Sequence, residues 1–134
     1  MIWTEALNSK LANISTRGFA EAGDNAMIGG FIVLNENQKV LVRSIGPSLT
    51  AAGIAGALQD PTLELYDGNG NSLISNDNWV DSADKQAIID STIPPKNDLE
   101  SAILRTLTPG PYTAIVRGKS DTVGVALVEV YALN

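Results

Sequence analysis

Short runs of alternating apolar and polar residues, separated by turns rich in glycine and asparagine, run along most of the chain. Residues 62–66 and 72–75 alternate with a period of two, and the run Asp67-Gly68-Asn69-Gly70-Asn71 between them tolerates the positive φ angles of a hairpin turn. The other strand-like runs are residues 11–16, 26–34, 39–45, 102–107, 111–117 and 124–133. About eight short strands at such spacings predict an all-β fold, an antiparallel β-sandwich.

Three segments depart from the strand pattern. Residues 81–91 carry apolar residues near helical spacing, with Asp81 or Ser82 as the N-cap and two prolines beyond, which predicts one short surface helix. Residues 49–59 fit either a short helix or a packed loop across one end of the sandwich, and we favour the loop. Residues 1–10 are expected to form an N-terminal arm, so that a single domain spans residues 11–134.

The amino-acid composition excludes several classes of function, and says less about the fold. The chain has 15 acidic and 9 basic residues and a net charge of −6, which disfavours nucleic acids and acidic membrane surfaces as partners. It contains no histidine, and so lacks the usual general base near neutral pH and every histidine-containing triad. It contains no cysteine either, which excludes disulfides and thiolate metal sites. We therefore expect a protein that is not an enzyme.

Neither membrane insertion nor a signal peptide is indicated by the sequence. No run of about eighteen apolar residues occurs, and the first five residues have neither a basic start nor an apolar stretch. An exported protein would carry its signal outside these 134 residues.

Several motifs resemble a module that occurs, often in tandem, in large predicted extracellular proteins of environmental bacteria. These motifs are residues 11–18 (LANISTRG), 23–31 (GDNAMIGGF), 42–49 (VRSIGPSL) and 98–103 (DLESAI). The centre of the chain is also similar to the bacterial pre-peptidase C-terminal domain, at residues 63–67 (LELYD), 76–79 (NDNW), 100–103 (ESAI) and 107–113 (LTPGPYT). The second resemblance implies a jelly-roll domain appended to secreted enzymes, some of whose members bind calcium or a polymeric substrate.

Two groups of acidic and amide residues could bind calcium, which prefers six to eight oxygen ligands. Asp67, Asn69 and Asn71 have the spacing of a calcium loop, but Ser72 stands where the loop needs glycine, so a plain hairpin turn is the stronger interpretation. The other group is Asp77, Asp98 and Glu100. These residues lie in the segments of this chain that resemble the calcium-binding members of the pre-peptidase C-terminal family. Solvated loop carboxylates are the alternative for this second group.

Trp79 is consistent with two roles. Beside Asn76 and Asn78 its ring could stack on a sugar, as in many carbohydrate-binding modules, or it could cap one end of the sandwich core. Aromatic residues make up only 5% of the chain, so a row of exposed rings suited to crystalline polysaccharide is not available.

Strand edges and two arginines complete the candidate features. Arg43 and Arg117 each end an apolar strand and are expected to pair with Asp24 or Glu129. The strand-like residues near the two chain ends, Asn13, Ile14 and Ser15 with Val128 and Val130, are predicted to be edges that add to a neighbouring subunit.

Together these features predict a non-catalytic structural or interaction module of a bacterial surface or secreted protein. Its expected partners are copies of itself or neighbouring modules, assembled into a surface layer or filament. The alternative is a carbohydrate-binding module for extracellular polysaccharide, and calcium is the one cofactor considered.

Overall fold

A computed structural model describes residues 2–7, 13–21 and 26–133 of the chain. Its strands are β1 (Ile2–Leu7), β2 (Asn13–Ala20), β3 (Met27–Val33), β4 (Gln38–Ile45), β5 (Pro61–Asp67), β6 (Ser72–Asn76), β7 (Ser101–Leu107), β8 (Gly110–Gly118) and β9 (Gly124–Leu133). The helical elements are α1 (Pro47–Ala51), α2 (Lys85–Asp90) and 3₁₀ turns at Trp79–Asp81 and Lys119–Asp121. No helix in the described ranges is long and apolar enough to cross a membrane.

The strands form two sheets that pack face to face. One sheet has the order β1-β3-β8-β5-β6 and the other β2-β9-β4-β7. Every neighbouring pair is antiparallel except β1 and β3, which are parallel. Without β1, the eight remaining strands have the order of a jelly roll, as the resemblance to the pre-peptidase C-terminal domain implied.

The alternating residues build the interior between the two sheets. Leu63 and Leu65 on β5, Val40 and Val42 on β4, and Val128 on β9 are all buried in one apolar cluster. Their immediate neighbours point the other way, because successive side chains in a strand lie on opposite faces of the sheet. The period-two pattern therefore determines which face of each strand meets the other sheet.

A second apolar layer covers the outer face of the four-stranded sheet. Leu41 and Ala102, which point away from the main core, pack with Trp79 and Ile88 from the segment between β6 and β7. A third cluster places Leu49 of α1 against Ile45 and Leu127 at one end of the same face. Both connections are therefore packed onto the sheet rather than extended into solvent.

The hairpin turn and the short helix predicted from the sequence are confirmed. The Asp67 carboxylate accepts hydrogen bonds from the backbone N–H groups of Asn69 (2.9 Å) and Asn71 (3.0 Å), and Gly70 has a φ of 82°. These contacts, led by the one from Asn71, hold the pKa of Asp67 below its usual value. Helix α2 lies within the predicted range, but its N-cap is Asp84 rather than Asp81 or Ser82; the Ser82 hydroxyl accepts from the N–H of Asp84.

Three expectations about the chain need correction. The segment after β4 begins with helix α1 rather than a loop, because Pro47 supplies the fixed φ angle and missing donor of a first helical residue. Strand β2 continues past Thr16 to Ala20, because β9 provides a pairing partner along its whole length. Residues 2–7 of the expected arm form β1, which pairs with β3.

Candidate interaction surface

Strand β2 forms one edge of the four-stranded sheet and is eight residues long. One side of it pairs with β9 in an unbroken antiparallel register, from Asn13 opposite Tyr131 to Ala20 opposite Gly124. Within the described ranges no strand pairs with its other side. An edge of this kind presents backbone N–H and C=O groups to which another strand can add.

The predicted assembly edges lie only partly where the sequence placed them. Asn13, Ile14 and Ser15 are on the edge strand, as expected. Val128 and Val130 are not, because β9 lies between β2 and β4 and both side chains are buried in the core. The two expected edges in fact pair with each other, with Ile14 opposite Val130 and Thr16 opposite Val128.

An exposed apolar patch lies at the end of this edge. The Phe19 side chain points away from the core and is 57% exposed, and its cross-strand partner is Val125. Val123, two residues before Val125, is 53% exposed. We call Phe19, Val123 and Val125 the Phe19 patch. The sequence pattern did not single it out, because Phe19 lies beyond the end of the predicted strand.

The edges at the other ends of the two sheets are less available than β2. Strand β6 is only five residues long. On β7 the N–H of Ala102 donates to the Asn76 side chain at 3.0 Å, and the neighbouring Ser101 hydroxyl lies between the carbonyl oxygens of Pro61 (2.8 Å) and Asp77, to either of which it can donate. Short length and covering groups are the means by which natural sheets protect an edge.

Trp79 is an interior residue. It is 7% exposed, and its indole N–H donates to the carbonyl of Asn97 at 3.1 Å. The ring therefore offers no face for stacking on a sugar, and of its two possible roles the structure shows the packing one. It packs against the outer face of the four-stranded sheet rather than at an end of the main core.

The amides beside Trp79 hold the backbone. Asn76 accepts from Ala102 and donates to the carbonyl of Asn78 at 3.2 Å. Asn78 donates to the Asp81 carboxylate at 3.4 Å. The predicted sugar-binding group of Trp79, Asn76 and Asn78 is therefore engaged in internal contacts.

Glu100 is completely buried, and protein donors surround its carboxylate. One oxygen accepts from the backbone N–H groups of Gly46 and Ser48, both at 2.9 Å. The other accepts from the Ser48 hydroxyl (2.7 Å) and the N–H of Asn97 (3.1 Å). Glu100 thus ties the start of α1 to the segment that precedes β7. Its burial gives it a structural role that the sequence did not reveal.

The three predicted calcium ligands are not brought together as one group. Asp98 is exposed, Glu100 is engaged as described, and an oxygen of Asp77 pairs with Lys119. In the part of the chain that the structure describes, no three acidic residues are placed to hold a metal ion. The geometry therefore does not support a calcium site formed by these three residues together.

A charged cluster closes one end of the sandwich. Lys119 donates to the Asp77 carboxylate, and its backbone N–H donates to the carbonyl of Asp60 at 2.9 Å. Burial raises the pKa of Asp60, and the nearby Asp77 carboxylate raises it further. The hydrogen bond to Asp77, followed by the attraction of its charge, raises the pKa of Lys119.

Arg43 fastens the outer segment to the sheet. Its guanidinium pairs with Glu129, as the sequence predicted, and donates to the Tyr131 hydroxyl and the carbonyl of Ile93, both at 3.0 Å. It also lies 5.0 Å from the centre of the Tyr131 ring. Burial is the main cause of a raised pKa at Tyr131.

Arg117 pairs with Glu64 rather than with Glu129, and the other predicted partner, Asp24, lies outside the described residues. The Glu64 carboxylate accepts from the Tyr66 hydroxyl (2.6 Å), the Ser72 hydroxyl (2.9 Å) and Arg117 (3.4 Å). These contacts, led by the one from Tyr66, lower the pKa of Glu64. Because Leu63, Leu65 and Val116 face the core, this group lies on the outer face of the five-stranded sheet.

Comparison with known proteins identifies the fold. No family model and no curated protein matches the sequence. Among solved structures, the pre-peptidase C-terminal domain of a collagenase from Bacillus anthracis superposes with a TM-score of 0.56 and 13% identity, covering 96% of this chain and 91% of that one. The fold is similar to that of a pre-peptidase C-terminal domain. The resemblance noted in the sequence is thus confirmed for the fold, and tandem occurrence stays a prediction.

A second solved structure has a comparable fold. CorA, a surface-associated copper-binding protein of Methylomicrobium album BG8, has a TM-score of 0.50 and 10% identity, with 97% of this chain and 98% of that one covered. At these identities the likeness concerns the fold alone.

Proposed function

We propose that this chain is a non-catalytic interaction module that works outside the cytoplasm and associates with further copies of itself through the β2 edge. The observation that carries this proposal is an eight-residue edge strand, unpaired on one side within the described ranges, that ends in the exposed Phe19 patch. The fold similarity to a domain of a collagenase and to a surface-associated protein supports the extracellular setting.

The edge and the patch favour the same kind of partner. A strand added to β2 would satisfy its outward backbone groups, which gives affinity independently of the partner's sequence. Phe19 supplies apolar area to the same contact. With 57% of this residue exposed, its burial would contribute roughly 2 kcal/mol, equivalent to about a thirtyfold change in the dissociation constant.

The test compares the wild-type chain with Phe19→Lys and Leu34→Lys by light scattering over a concentration series. Leu34 is a matched control, because it is also apolar and exposed (42%) but lies in the turn between β3 and β4. We expect concentration-dependent oligomers of the wild type and of Leu34→Lys, and their loss in Phe19→Lys. A wild-type protein that stays monomeric at high concentration would refute the proposal.

A carbohydrate-binding role is the second candidate, and one observation favours a site other than Trp79. Glu64, Tyr66 and Arg117 place an aromatic ring, a carboxylate and a guanidinium together on the outer face of the five-stranded sheet. Such groups suit the face and hydroxyls of a sugar ring. A glycan array should lose its signal with Tyr66→Ala and keep it with Trp79→Phe. An array without signal for the wild type would remove this candidate.

A further inference from the structure

Strand β1 is an addition to a fold that is already complete. Strands β2 to β9 account for four strands in each sheet of the jelly roll, and β1 lies outside β3 as a fifth strand of one sheet. Its pairing with β3 is the one parallel pair among the described strands, with Ile2 opposite Gly29 and Leu7 opposite Val33. Its loss from this position would leave the antiparallel ladders of both sheets unchanged.

Strand β1 and the strand that follows it in the chain belong to different sheets. β1 pairs with β3 in one sheet, whereas the next strand along the chain, β2, forms the edge of the other sheet. The five residues 8–12 are the covalent link between them. A chain whose β1 pairs with a given β3 must therefore have the start of its own β2 close to the end of that β1. Five linking residues span at most about 20 Å.

From this arrangement we infer that β1 is exchanged between copies, so that β1 of one chain pairs with β3 of the next. The inference rests on the proposed self-association through β2, and it names the partner as a second copy of this chain. Exchange keeps the same β1–β3 pairing that the structure shows within one chain, which is why swapping an identical element is a low-cost route to association.

The exchange also explains how the β2 edge would find its partner. The link formed by residues 8–12 is short. A copy whose β1 pairs with a neighbouring chain therefore also has its β2 and the Phe19 patch next to that chain. The covalent link and the edge contact then act together, which raises the effective concentration of the second contact. If the exchange is reciprocal it closes a dimer, and if each copy gives to the next it produces a filament.

Cysteine pairs can distinguish exchange from pairing within one chain, because the chain has no cysteine of its own. Ala6 and Ile32 are opposite each other in the β1–β3 register, so the double variant Ala6→Cys and Ile32→Cys places two thiols at the pairing position. The protein is refolded at a series of concentrations, oxidised, and separated on a non-reducing gel. Linked dimers or longer ladders, increasing with the refolding concentration, are expected.

A second measurement does not depend on the double variant. The single variants Ala6→Cys and Ile32→Cys, one of them isotopically labelled, are refolded together, and the linked species are identified by mass spectrometry. A mixed disulfide between the two variants, more abundant than either homodimer, is the expected result. Cross-links confined to single chains at every concentration, together with no mixed disulfide, would overturn the exchange.

The outcome also separates this inference from the proposed function. If Phe19→Lys dissolves the oligomers while the cysteines link only within a chain, association through β2 stands and the exchange of β1 is wrong. If the wild type does not associate at all, both are wrong.

Discussion

Replacing Glu100 with glutamine changes one atom of a buried carboxylate and should weaken the fold strongly. In the wild type both oxygens accept, one from two backbone N–H groups and the other from a hydroxyl and a further N–H, at 2.7 to 3.1 Å. A glutamine side chain has one accepting oxygen and one NH₂ group that only donates. With the NH₂ group beside the Gly46 and Ser48 N–H groups, two backbone donors face a donor. In the other orientation the N–H of Asn97 faces a donor, whereas the Ser48 hydroxyl can rotate to accept.

The magnitude follows from the hydrogen bond that a glutamine cannot accept even in its better orientation. A hydrogen bond to a charged acceptor contributes about 1.5 to 3 kcal/mol, so the absence of one in the better orientation of the amide predicts a decrease of roughly 2 to 3 kcal/mol in the free energy of unfolding. For a domain of this size, that corresponds to a melting temperature lower by on the order of 10 °C. Urea unfolding and thermal melting measure the two quantities independently.

The control is Glu36→Gln, the same chemical change at an exposed position in the turn before β4, where an effect below about 0.5 kcal/mol is expected. Each protein is measured with calcium and with a chelator, and Glu100→Gln should lose the same stability in both media. A melting temperature equal to that of the wild type would refute the structural role of the carboxylate. A loss seen only with calcium would show instead that Glu100 holds an ion.

Three further predictions concern other parts of the fold. Trp79→Ala should cost about 3 to 5 kcal/mol in urea unfolding, and Trp79→Phe less, because the ring is buried against the sheet. Gly46→Ala should lower the melting temperature far more than Gly29→Ala. A Cβ at residue 46 would lie 2.0 Å from the carbonyl oxygen of Leu58, whereas a Cβ at residue 29 would lie 3.6 Å from its nearest neighbour. Equal melting temperatures would contradict this prediction. Asp60→Asn should raise the melting temperature at about pH 7, because the raised pKa of Asp60 means that its charge is less favourable in the folded state than in the unfolded state. The gain in melting temperature should vanish near pH 2.5, where Asp60 is protonated in both states. A gain that persists at that pH would contradict the electrostatic cause.

The candidate site was harder to predict from the sequence than the fold was. Asp77, Asp98 and Glu100 suggested a calcium site because they are acidic and match a family motif, but an exposed carboxylate differs from one enclosed by backbone donors only in its three-dimensional surroundings. Similarly, Trp79 beside two asparagines suggests a sugar site until its burial is known. Residue type indicates what a side chain can do, whereas its neighbours decide whether it is available.

The strands, the hairpin at Asp67 and the β-sandwich class could be predicted from local sequence, because alternation and turn residues act over a few positions, whereas the jelly-roll class was implied by the family resemblance. The folded arrangement was needed to show that β9 lies inside a sheet and β2 at its edge, that β1 pairs with β3, and that Phe19 is exposed. Strand order joins residues more than a hundred positions apart, such as Asn13 and Tyr131, and no local pattern contains that information.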